Sequence, residues 1–288
     1  MSAAAETKTV NTAITGYTIS SSGGTIASYA ISPSAPAGLA FNTTTGVLSG
    51  TPSSTQSATA YTITATNATG SATRTFTLTV SSVVYTVGQA GPGGGIIYFV
   101  SNESFTCGPT LASSCNYLEV APSGWNGGSD PDRSWDVPEQ RWNDVTSITN
   151  DAVPYNNLLG VGLGYKNSLA IVAQNGAGTT YAAGLARAYA GGSKSDWYLP
   201  TAAELNLLCQ WVRGVAQSVT TGCSGGFHYQ NNTANLIAAG IQNNYYWSSS
   251  EKNATYAWYQ DLYYYLNAPQ ETFFAKSYAG SVRPVRAF

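Results

Sequence analysis

Asp196-Trp197-Tyr198-Leu199-Pro200-Thr201-Ala202-Ala203-Glu204-Leu205 is the stretch from which the fold of this chain can be read. Thr201 and Glu204 stand three apart behind Pro200, the spacing of a capping box, so a helix begins just past Thr201. Leu205, Leu208, Cys209 and Val212 then recur on one helical face. Upstream, residues 167–174 and 180–190 read as two shorter helices, the second stopped by Gly191-Gly192. Strands are expected at 95–100, 117–121, 245–249, 257–262 and 281–287. Helices mixed with antiparallel strands and long loops predict an α+β domain over residues 83–288.

Further along, tyrosine accumulates. Positions 245 to 278 hold eight of the twenty tyrosines and only five charged residues. Tyrosine offers a large amphipathic contact area while freezing few torsions, and small polar neighbours add adaptable hydrogen bonds. A core would use Leu, Ile and Val instead. The segment therefore reads as a binding surface, the alternative being an ordinary aromatic-rich sheet, since tyrosine also favours strands.

Residues 9 to 82 differ in kind. They are nearly all Thr, Ser, Ala and Gly, with Arg74 as the only charge. Tyr61, Ile63 and Ala65 alternate with Thr62 and Thr64, and Phe76, Leu78 and Val80 alternate with Thr75, Thr77 and Thr79, the period of half-buried strands. Turn signals at Ser32-Pro33, Gly50-Thr51-Pro52 and Asn67-Ala68-Thr69-Gly70 separate them, so residues 1–82 are expected to form an all-β sandwich. The run from Ile31 through Pro36-Ala37-Gly38-Leu39-Ala40-Phe41-Asn42 to Gly46-Val47-Leu48-Ser49-Gly50-Thr51-Pro52 resembles the immunoglobulin-like repeats of bacterial surface proteins, which implies a spacer without a ligand of its own.

The C-terminal part carries a second resemblance. Asp196 to Leu205, then Tyr246-Trp247-Ser248-Ser249-Ser250-Glu251, Ala257-Trp258-Tyr259-Gln260 and Val282-Arg283-Pro284-Val285-Arg286-Ala287-Phe288 are similar, in order and spacing, to a bacterial domain family. That family includes the C-terminal domains of collagen-like adhesins and variable proteins of diversity-generating retroelements. The resemblance implies a C-type-lectin-like fold with a ligand site on its terminal strands and loops. It also implies a variable region at about 245–281. Adenine-directed diversification yields residues such as Tyr, Asn, Asp, Ser, Thr, Ala and Phe, but never Trp, Lys, Gln, Glu or Met. Asn253, Ala254, Thr255, Tyr259, Asp261, Tyr263, Tyr264, Asn267, Ala268, Thr272, Ser277 and Tyr278 fit that alphabet and are the candidate ligand-binding positions. Trp247, Glu251, Trp258 and Gln260 would be fixed scaffold, as would Gln270 and Lys276, while Lys252 and Glu271 fit neither role well. Arg283 and Arg286 read as structural cations whose donor forks suit buried carboxylates such as Glu204 or Glu251.

Composition narrows the remaining choices. The chain has 288 residues, 9% of them charged, a net charge of −2 and no Lys/Arg run. Nucleic acid and anionic membranes, which need clustered cations, are poor partners. No apolar stretch approaches the roughly 20 residues of a membrane span. The four cysteines allow three connectivities; two local pairs, Cys107 with Cys115 and Cys209 with Cys223, are the simplest. Each would be worth about 2–3 kcal/mol on the chain-entropy account. Four separate buried thiols are the alternative. Bridges imply an oxidising location. An extracellular, cell-surface or virion protein is expected, although residues 1–10 show no basic and apolar signal pattern.

Catalysis is not expected. His228 is the only histidine, and nothing local marks a nucleophile. Gly91-Pro92-Gly93-Gly94-Gly95 lacks the spacing of a phosphate loop and precedes a strand, so it reads as a turn. Asp130, Asp132, Asp136, Glu139 and Asp144 could gather around calcium, and Trp142-Asn143-Asp144 matches the tripeptide of calcium-dependent sugar sites in animal C-type lectins. Arg133 and Arg141 stand among those acids and would neutralise them, so no cofactor is assigned. The expected partner is an unknown protein or cell-surface ligand, with a glycan-binding adhesin as the alternative and a formylglycine-generating type of enzyme as a third reading.

Overall fold

A computed structural model describes residues 5–17, 24–137, 160–223, 233–242, 244–262 and 271–288. These fall into two compact units, Met1–Val84 and Tyr85–Phe288. Tyr263, Tyr264, Asn267, Ala268, Glu139, Arg141, Trp142, Asn143, Asp144, His228 and Gln270 lie outside the described residues.

In the first unit, the strands are β1 (Ala5–Thr9), β2 (Ile14–Tyr17), β3 (Ser28–Ser32), β4 (Leu39–Phe41), β5 (Leu48–Gly50), β6 (Gln56–Asn67) and β7 (Gly70–Ser81). They form one sheet in the order β1-β7-β6-β3 and a second in the order β2-β5-β4. The alternation in the sequence sets the packing: Tyr61, Ile63, Phe76, Leu78 and Val80 point inward and meet Leu48 of the other sheet, making a sandwich core. β6 and β7 join through a turn in which the Asn67 side chain accepts the Thr69 and Gly70 N–H groups at 2.9 and 3.1 Å. Gly38 must be glycine, because its φ is +84° and a Cβ there would sit 2.1 Å from the Thr51 carbonyl oxygen.

The second unit mixes helices and strands. It comprises β8 (Ile96–Cys107), β9 (Ser113–Val120), β10 (Asp132–Ser134), α1 (Gly164–Asn175), α2 (Ala182–Ala188), α3 (Ala202–Arg213), α4 (Thr233–Ala239), β11 (Tyr245–Glu251), β12 (Tyr256–Asp261), β13 (Glu271–Ala275), β14 (Ala279–Ser281) and β15 (Val285–Ala287). Among the described residues one sheet runs β10-β14-β11-β12-β13 and another β15-β9-β8. Two apolar clusters flank the larger sheet. Tyr246 joins Leu205, Leu208 and Val212 of α3, whereas its neighbour Trp247 joins Ile171 of α1 and Leu185 of α2. Successive side chains of β11 thus enter opposite cores, as strand geometry requires.

The capping box forms as read: Thr201 Oγ1 accepts the Glu204 N–H at 3.1 Å, and the Glu204 carboxylate accepts the Thr201 N–H at 2.8 Å. Only one face of α3 was expected to be buried, yet the whole helix is. Its two amide side chains are satisfied by the segment beyond it. Asn206 bonds the Thr221 carbonyl and the Cys223 N–H at 2.9 and 2.6 Å, and Gln210 bonds Thr221 and Ser218 at 2.8 Å each. The Cys209–Cys223 disulfide holds that segment down, and Cys107–Cys115 closes the β8–β9 turn.

Two expectations need correction. Residues 281–287 are not one strand: β14 ends at Ser281 in the large sheet, β15 starts at Val285 in the small one, and Pro284, which has no N–H to donate, lies between. The arginines of this crossing are buried in ion pairs, but their carboxylates are others than expected. Arg283 pairs with Asp130 at 2.7 Å and also donates to the carbonyls of Ala121 and Gly240. Arg286 pairs with Glu119 at 2.9 Å and Asp196 at 2.8 Å. Glu204 is already engaged by its cap, by Gly162 N–H and by the Tyr198 hydroxyl, and Glu251 meets Lys276.

Candidate ligand-binding surface

The tyrosine-rich segment builds a three-stranded face from β11, β12 and β13, with one tip at 252–255 and another at 276–278. Asn253 shapes the first tip: its side-chain oxygen accepts the Thr255 and Tyr256 N–H groups at 2.9 Å each. The β12–β13 register pairs Tyr256 with Ala275, Ala257 with Phe274 and Trp258 with Phe273. Paired residues share a face, so the sheet sorts its aromatics into two sets.

On one face, Phe273 meets two rings in edge-type contacts, Tyr256 at 5.3 Å and Trp258 at 5.8 Å. The Lys252 ammonium lies over Phe273 and 5.3 Å from the Trp258 ring. Tyr256 and Phe273 are 37% and 40% exposed, which is unusual for large apolar rings on a strand. On the other face, Tyr259 stacks on Phe274 at 4.4 Å and Phe274 on Tyr278 at 4.5 Å, while Tyr245 meets Tyr259 edge-on at 5.2 Å. This row passes from buried Tyr259 to Tyr278, which is 47% exposed.

The candidate positions divide accordingly. Asn253, Thr255, Ser277 and Tyr278 are exposed and Ala254 is half-buried. Thr272 lies on β13 opposite Tyr259. Tyr259 and Asp261, expected to face outward, are 7% and 8% exposed. Their place on β12 is the reason: Tyr259 packs beside Trp247, and Asp261 lies near buried Arg213, whose proton affinity burial lowers and the Asp261 charge only partly restores. Trp247, Glu251, Gln260, Arg283 and Arg286 are buried and Trp258 is half-buried. Tyr256 and Phe273 were not among the candidates. A signal was available, because both belong to the permitted alphabet and Tyr256-x-Trp258 already alternates. Strand β13 gives no strand signal in the sequence, because Thr272-Phe273-Phe274-Ala275 lacks a clean period of two.

Two of the acids that suggest calcium, Asp130 and Asp132, are engaged in other contacts. Asp130 accepts hydrogen bonds from Arg283, the Tyr246 hydroxyl at 2.6 Å and the Trp125 indole at 2.8 Å. Asp132 accepts from Ser281 and Asn244 at 2.8 and 3.1 Å. Among the described residues no three His, Cys, Asp or Glu side chains gather as a metal site. The Gly91–Gly95 turn does bind an anion, but one of the protein's own: the Gly93 and Gly95 N–H groups donate to Glu119 at 3.0 and 2.7 Å. All four cysteines are in disulfides.

Buried Tyr98, Tyr181, Tyr198 and Tyr246 lie within the two apolar clusters. Burial, then the Glu204 charge, raises Tyr98 and Tyr198 well above the ordinary 10.0, and burial followed by Asp130 does the same for Tyr246. Burial and then Asp136 push Tyr181 up to about 12.

The first unit is an immunoglobulin-like domain: residues 2–81 match the family described as "Putative Ig domain" (He_PIG). No curated protein matches the chain. Among solved structures, a "putative alpha-galactosidase" from Bacteroides fragilis is 19% identical over 35% of this chain and 19% of its own, with a TM-score of 0.25. A second, a "putative alpha-galactosidase/melibiase" from the same organism, is 17% identical over 35% of this chain and 20% of its own, with a TM-score of 0.24. The chain spans about a fifth of those enzymes, and the similarity is too slight to carry an argument about either unit. Among the described residues no helix is long and apolar enough to cross a membrane.

Proposed function

We propose that residues 85–288 form a non-enzymatic ligand-binding domain of C-type-lectin-like fold, displayed at a cell or virion surface on an immunoglobulin-like spacer. Its ligand is a protein or another cell-surface molecule. In this reading it is a variable protein of a diversity-generating retroelement, with exchangeable side chains on a fixed frame. The observation that carries the binding role is the exposure of Tyr256, Phe273 and Tyr278 close to the buried Ala257, Tyr259 and Lys276. Aromatic rings held this way act as anchors, and Asn253, Thr255 and Ser277 around them supply adaptable polar contacts. The fold assignment draws support from the last strand, β15, pairing back onto β9 near the start of the same unit. Two disulfides are consistent with an extracellular setting. They also leave no thiol for a formylglycine-generating type of reaction.

Sequencing the locus tests the diversification. Adenine-rich codons at the exposed positions, a near-identical template repeat and a neighbouring reverse transcriptase are expected; ordinary codons without a template would leave an unvaried adhesin. Exposed rings also suit stacking on sugars, so a glycan array separates that second reading from a protein ligand.

A further inference from the structure

We infer that Lys276 is the positioning residue of this surface: with Glu251 and Trp135 it ties the segments bearing the exposed side chains into one rigid unit. Although charged, Lys276 is fully buried. Its ammonium meets the Glu251 carboxylate at the end of β11 and lies 4.6 Å from the centre of the Trp135 ring. Its backbone N–H donates to the Thr255 carbonyl in the first tip at 2.9 Å, and its own carbonyl accepts the Trp135 N–H at 2.8 Å. Trp135 is pinned in turn, because its indole donates to the Ser248 carbonyl at 2.7 Å. One residue thus reaches the 252–255 tip, β11 and the 134–136 segment, and directly precedes exposed Ser277 and Tyr278.

Withdrawing an ammonium from water is costly, and an apolar side chain of similar length would fill the same space more cheaply. What the ion pair adds is a fixed geometry, which pre-organises the side chains around it. The purpose of the device rests on the ligand-binding reading above; its geometry does not.

Hydrogen–deuterium exchange on the full chain tests it without a ligand. Lys276→Met alone removes the cation that meets the buried Glu251 carboxylate and lowers Tm. The double variant Glu251→Gln/Lys276→Met removes both charges and brings Tm back toward the parent. In the double variant the amides of 253–256 and 276–278 should exchange about tenfold faster, while those of α3 and β8 are unchanged. Parent-like protection at the two tips would mean that the pair only stabilises, and the inference falls. Should the double variant fail to fold, Trp135→Phe keeps a ring beneath the ammonium but loses the bond to Ser248. It should loosen the same amides selectively; a uniform change or none overturns the inference. A rigid surface without a ligand would count against the binding role alone, and a bound ligand on loose tips against Lys276 alone.

Discussion

Arg286 illustrates how a single side chain closes the second unit. It joins the Glu119 carboxylate, which is wholly buried, to Asp196, which lies partly in water, and its guanidinium carbon lies 5.9 Å from the centre of the Trp197 ring. Burial by itself would make the guanidinium less basic. The hydrogen bond and charge of Asp196, followed by those of Glu119, outweigh that and raise its proton affinity. Arg286→Ala leaves Glu119 without its cation and should cost roughly 3–5 kcal/mol, measured by urea unfolding. The exposed rings behave oppositely. Tyr256→Ala and Phe273→Ala should each change stability by about 1 kcal/mol or less in the same assay. Each should nonetheless weaken binding to any ligand recovered from an array by about 1–2 kcal/mol or more. Unaltered affinity in both would remove them from the site.

At the scale of elements, α3 is where local sequence and tertiary burial agree most closely. Thr201 satisfies the Glu204 N–H, and Gly214 in the left-handed region, with φ of 66°, ends the helix through its N–H to the Gln210 carbonyl. Thr201→Ala should cost about 1–2 kcal/mol, read from the shift in Tm, with Thr201→Ser restoring most of it. The loop at 91–95 teaches the complementary lesson. Its glycines read as a turn, and they are one, but Gly95 has a second duty. A Cβ there would stand 2.1 Å from the Val120 carbonyl oxygen. Close approach of backbone to backbone is what lets the loop donate two N–H groups to Glu119.

For the molecule as a whole, each unit holds its own core. The second unit carries a titration signature. Tyr98, Tyr198 and Tyr246 bind their phenolic protons more tightly when folded than the unfolded chain does. The stability they contribute is therefore fully present below the unfolded value of about 10 and is lost as pH rises through their higher folded values. Unfolding free energy should hold level across the mildly alkaline range with respect to these groups and fall steeply above pH ~10. The tyrosinate absorbance of these three phenols should appear with unfolding rather than before it. Early ionisation of the full tyrosine complement in the folded state would contradict the burial described above.

Alternation in residues 61–80, the capping box at Thr201 and the local spacing of the cysteines were enough to set the sandwich, the central helix and the disulfides, because each depends on neighbours close in the chain. The tyrosine-rich composition likewise marked the segment that builds β11, β12 and β13, where Tyr256 is exposed. Tertiary structure alone decided which tyrosines face water: Tyr259 and Tyr256 stand three apart on one strand, yet one packs beside Trp247 and the other is open. It also decided which carboxylate each arginine meets, since Asp130 and Glu119 lie more than a hundred residues from Arg283 and Arg286. Pairings over such distances are set by how sheets and helices stack, and a linear pattern of residue types does not encode that contact.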